Sequence, residues 1–116
     1  MDSRSKVLAL ITLGLFSVNG WCGNVTASKI TEIYCGYYSG KNMCSIYFDK
    51  EIDGAPTCHV NNRKRMQIKT DDDTGKAILS LALTAHATQK PVDIGGKGTC
   101  DVHSDTEDMN VFHMKQ

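Results

Sequence analysis

The sequence predicts one small, mostly β domain that holds a single helix and is stapled by disulfides. Three observations carry this expectation. Short runs rich in β-branched and aromatic residues are separated by Gly, Asp, Asn and Pro turn signals. One stretch, Lys76 to Ala87, breaks that rhythm with Ala and Leu at helical spacing. Five cysteines, Cys22, Cys35, Cys44, Cys58 and Cys100, supply the staples.

The chain opens with the pattern of an export signal over residues 1–22. Arg4 and Lys6 precede an uncharged apolar run, Val7 to Phe16, too short to span a bilayer core of about 30 Å. Small residues then offer cuts after Gly20 or after Cys22. Cutting after Cys22 leaves four cysteines, an even number suited to an exported, fully paired domain. Residues 23–116 form that domain, with a length suited to one core and no more. Without residues 1–22, eleven basic side chains face twelve acidic ones, a net charge of −1. Such a domain has no global field to attract nucleic acid, and no second apolar stretch could span a membrane.

The elements follow in order. Lys29 to Cys35 alternates, with Ile30 and the other even-numbered residues on one face, and reads as the first strand. Tyr38-Ser39-Gly40-Lys41 is a turn, and Met43 to Phe48 the second strand. Asp49 to Pro56 is a loop, and a third strand lies within Thr57 to Lys69 on Val60, Met66 and Ile68. Asp71 to Thr74 caps the helix, whose inner face is Ile78, Leu81, Ala82 and Ala85. Pro91 stops the helix; Val92 to Ile94 is the fourth strand, Gly95 to Gly98 a loop, and Met109 to Met114 the last strand. The expected core is Ile30, Ile46, Ile68, Ile78, Leu81, Ala85, Val92 and Val111. The order β-β-β-α-β-β is that of the OB-fold, a five-stranded, partly open barrel.

Cysteine spacing gives the bridges. Positions 35 and 44 are symmetric about a turn at Ser39-Gly40, and counting outward makes them a non-hydrogen-bonded pair. Such pairs have Cα atoms about 4.5 Å apart, within reach of a disulfide. Cys58 and Cys100 are then left to pair, although Cys44 with Cys58 is the alternative for adjacent strands. The histidines, His59, His86, His103 and His113, lack metal-ligand spacing, so no metal or other cofactor is expected. His103 among Asp101, Asp105, Glu107 and Asp108 could bind a divalent ion, but a solvated acidic loop is the expected state. No catalytic constellation stands out, so the expectation is a binding protein rather than an enzyme. Aromatic and hydroxyl residues crowd the first hairpin, which suits a sugar ring.

The chain resembles the small secreted bacterial OB-fold proteins related to the B subunits of subtilase cytotoxin and typhoid toxin. The resemblance is carried by Ile30-Thr31-x-x-Tyr34, by cysteines in the second and third strand regions, and by the passage Leu81 to Ile94. It implies bacterial export to the periplasm or outside, pentameric assembly in the toxin members, and glycan binding through a serine hydroxyl just before the first strand. Thr26, with Ser28 nearby, stands at about that place. The expected ligand site is therefore Thr26, Ser28, Tyr37 and Tyr38, on a carbohydrate-binding homo-oligomer. The alternative is a periplasmic OB-fold protein that binds another protein or stabilises the envelope.

Overall fold

Two open three-stranded sheets and one helix enclose the core in the computed structural model, which describes residues 22–115. The expected export signal lies outside them except for Cys22, which is exposed and unpaired. The elements are β1 (Asn24–Ser28), β2 (Ile30–Tyr38), β3 (Lys41–Phe48), β4 (Arg65–Lys69), α1 (Asp73–Thr88), β5 (Val92–Gly96) and β6 (Met109–Met114). One antiparallel sheet runs β2-β3-β4 and the other β1-β5-β6. This corrects the expected five-stranded barrel. Among the described residues there are six strands in two sheets, and isolated bridges such as Asn24 with Asp53 and Gln67 with Asp108 lie at the sheets' margins.

The extra strand arises at a corner. Ala27 adopts a left-handed φ of 49°, and the β1–β5 register shifts between Val25 and Ser28. The chain thereby leaves one sheet at Ser28 and enters the other at Ile30. Asp49 anchors the corner: its Oδ1 accepts the Ser28 hydroxyl at 2.5 Å and the Lys29 N–H at 3.0 Å. Asp93 Oδ1 accepts the Ala27 N–H at 2.8 Å from the other side.

Strict alternation in the first strand also fails. A bulge between Ile30 and Glu32 leaves Ile30 buried but turns Glu32 and Tyr34 outward and Ile33 toward the core. Beyond it the register runs straight to Tyr38–Lys41, closed by Ser39 and Gly40 with φ of 49° and 76°. Two successive positive φ values mark the tight hairpin turn whose twist matches the strands.

Asp72 caps α1, its Oδ1 accepting the Gly75 N–H at 2.6 Å. Gly75 has to be glycine, because a Cβ there would collide with the Lys69 carbonyl on which the helix start rests. The buried face is Gly75, Ile78, Ala82 and Ala85, so expected Leu81 lies off it at 37 % exposure. Val111, on edge strand β6, is exposed as well, as is Val60 in the loop before β4. Ile46, Phe48, Met66 and Ile68 from one sheet and Val25, Val92, Ile94 and Met109 from the other pack into the same core.

The bridges are Cys35–Cys44, with Cα atoms 4.0 Å apart across β2–β3, and Cys58–Cys100, at 6.1 Å. The second joins the loop before β4, not the strand, to the β5–β6 loop. Among the described residues no helix is long and apolar enough to cross a membrane.

Candidate functional site

The structure separates the residues expected to share a site. Ser28 is fully buried, and its hydroxyl is committed to Asp49 while it accepts the Lys50 N–H at 3.3 Å. A ligand cannot reach it. Thr26 is exposed on β1, at the opposite end of the β1–β2 run from the hairpin tip. Tyr37 lies seven residues beyond Ile30, or about 23 Å at the usual rise of a strand. Thr26 and the tyrosine tip are therefore two places.

The tip itself has a definite shape. Side chains two apart in a strand share a face, so Tyr34, Gly36 and Tyr38 lie in one row. Tyr34 is 54 % exposed and Tyr38 36 %, while Gly36 between them has no side chain. Only the Tyr34 hydroxyl lies within 4 Å of where a Gly36 Cβ would stand, at 3.9 Å. Two rings thus flank an open backbone saddle. Tyr37, 82 % exposed, occupies the alternate row with Cys35.

The β5–β6 loop braces this row. His103 stacks on Tyr38 with ring centroids 3.8 Å apart and planes 21° off parallel. Its Nδ1 meets Asp105 Oδ1 at 2.5 Å, and Arg65 reaches the same oxygen at 3.3 Å. Burial pushes the Asp105 carboxyl up, yet hydrogen bonds from Thr106 and Asn61 and the neighbouring His103 and Arg65 outweigh it and hold the group below its ordinary value. Lys41, opposite Tyr38, donates its ammonium to the Asp101 carbonyl. The Cys35–Cys44 bridge fixes the hairpin just below the row.

The acidic loop differs from the solvated state expected of it. Glu107 and Asp108 are buried and accept hydrogen bonds from the loop's own backbone. Asp108 takes the Asp101 and Val102 N–H groups at 2.9 and 3.0 Å and the Thr99 hydroxyl at 2.8 Å. These carboxylates shape the loop that carries His103. Among the described residues no group of three or more His, Cys, Asp or Glu side chains is placed to hold a metal ion.

A cleft of about 380 Å³ lies between the start of α1, the end of β4 and β6. Lys69, Thr74, Lys97 and Asn110 stand along it, with Asp72 and Asp108 already committed to backbone N–H groups. Of the tip residues, the Tyr34–Gly36–Tyr38 period was open to reading in the sequence. The His103 stack, made across 65 residues, left no sequence signal. Comparison with protein-family models, with curated proteins and with solved structures finds no match to this chain.

Proposed function

We propose that the protein is an exported, non-enzymatic binding module whose ligand is a glycan, held on the Tyr34–Gly36–Tyr38 face of the first hairpin. One observation carries the reading. Two exposed tyrosine rings flank a side-chain-free saddle on a hairpin stiffened by a disulfide and a stacked histidine. A sugar's apolar face stacks on such rings, and a preordered site loses little entropy on binding. The resemblance to toxin B subunits favours the same ligand class, and two disulfides suit an oxidising compartment outside the cytoplasm. A single shallow site binds weakly, so useful avidity calls for an oligomer, pentameric if the toxin likeness holds.

A glycan array probed with the oxidised domain tests this. Tyr34→Ala and Tyr38→Ala should each lower binding about fivefold or more, the loss of about 1 kcal/mol of aromatic contact. Tyr37→Ala and Thr26→Ala, off this face, should leave it unchanged. Equal binding by all four variants would overturn the assignment.

A second reading is protein binding at the sheet margin. Among the described residues β2 pairs only with β3, leaving a nine-residue, proline-free edge for strand addition. A strand partner would slow hydrogen exchange of the outward β2 amides, whereas a glycan on the tyrosine face would leave them exchanging freely.

A further inference from the structure

Glu107 is fully buried, and its surroundings are those of an ion pair with one charge still to be made. Its two oxygens accept the Gly23 N–H at 3.2 and 2.9 Å, and Oε2 also accepts the Gly98 N–H at 2.9 Å. Among the described residues no Lys, Arg or His side chain pairs with it. His59, equally buried, is turned to other uses: Nδ1 accepts the Glu107 N–H at 3.3 Å and Nε2 donates to the Asn62 carbonyl at 3.0 Å. A buried carboxylate without a counter-charge is costly, since dipoles replace only part of its lost hydration.

The main-chain nitrogen of Gly23 reaches both oxygens. Glycine gives the carboxylate its room in this cage: a Cβ at Gly23 or at Gly96 would meet it at 2.3 or 2.1 Å, so the Glu107 side chain would have to shift. Gly23 is buried, and its carbonyl accepts the Gly96 N–H at 2.8 Å; Cys22, one residue earlier, is exposed. The bond between them stands at the mouth of the cage.

We propose that processing between Cys22 and Gly23 completes this site: the Gly23 α-ammonium released by the cut is the counter-ion of Glu107. Hydrolysis by an export signal peptidase adds one water. Cys22 leaves with the new carboxylate, and the Gly23 amine takes a proton at neutral pH. The carboxylate's contact with a neutral backbone N–H becomes a contact between two full opposite charges inside a closed cage. The cut also removes the odd thiol. Maturation is thereby coupled to folding: the precursor holds Glu107 with neutral donors alone, and the processed chain holds it with a full charge. This inference rests on the export reading and is independent of any ligand.

Two measurements test it. Intact mass and N-terminal sequencing of the protein from an exporting host should show a chain starting at Gly23. A start at any other processed position overturns this inference alone, whereas an uncut 116-residue chain overturns the export reading with it. The mature chain should then be compared with a free and with an acetylated Gly23. Acetylation keeps an N–H but removes the charge, and should lower the folding equilibrium constant about tenfold. In a Glu107→Gln background it should have no effect. Equal unfolding midpoints for the free and acetylated parent chains would overturn the ion pair whether or not the Gln variant folds.

Discussion

Ser28 shows how one hydroxyl can hold a corner. It is buried, donates to Asp49 and receives the Lys50 N–H, so two chain segments meet through it. The Ser28 hydrogen bond holds the Asp49 carboxyl below its ordinary value of 3.8, helped by the Lys29 N–H and the Lys50 charge and opposed by partial burial. A carboxyl depressed on folding adds stability above its unfolded value and loses it as pH falls through the lower folded one. Ser28→Ala should therefore cost about 1 kcal/mol at pH 7 and less near pH 2. Urea unfolding at both values measures this, and an equal loss at the two would remove Asp49 from the explanation. At the same scale Gly36 matters by lacking a side chain. Gly36→Val should fill the saddle and abolish ligand binding while leaving the unfolding midpoint nearly unchanged, because only the Tyr34 hydroxyl borders that space.

The helix shows how a sequence stripe and a packed face can differ. Ile78, Leu81, Ala82 and Ala85 fit one helical face by spacing, yet the sheets below admit only a strip centred on Ile78, Ala82 and Ala85. Two alanines at the contact let the helix approach closely, and Leu81 is left at the margin. Ile78→Ala should cost about 2–5 kcal/mol, whereas Leu81→Ala should cost about 1 kcal/mol or less. Thermal unfolding of the two variants checks the order, and a larger loss at Leu81 would mean the helix is rotated from its described setting. Gly75→Ala should be more damaging than either alanine propensity or burial suggests, since the helix start would have to lift off Lys69. The hairpin was easier to read than the helix face. Ser39-Gly40 sets the turn, the turn sets the register, and the register brings Cys35 opposite Cys44.

Across the whole molecule, two small sheets with few cross-links depend on the long bridge. Cys58–Cys100 spans a sequence separation of 42 and ties the loop before β4 to the loop that carries His103, Glu107 and Asp108. Cys35–Cys44, with a separation of 9, closes a hairpin that the turn already favours. Chain entropy then predicts that replacing the long bridge by two alanines costs about 4 kcal/mol and the short one about 2.5 kcal/mol. Guanidinium unfolding of the two double variants measures the difference, and the reverse order would place the stabilisation in native contacts instead. Residue order and spacing specify what depends on neighbours: the hairpin turn and its bridge, the capped helix with its start near Asp72, and the last strand over Met109–Met114. The sequence's alternation, read from Lys29 onward, did not show the separate strand Asn24–Ser28 that pairs in the other sheet before the corner at Ala27, nor the bulge after Ile30, because backbone handedness at a corner leaves no periodic trace. Tertiary structure alone decided that Ser28 is buried, that His103 stacks on Tyr38, and that Gly23 meets Glu107 across 84 residues. Each of these joins segments distant in the chain, and only folding brings such groups within the few ångströms at which hydrogen bonds and ring contacts act.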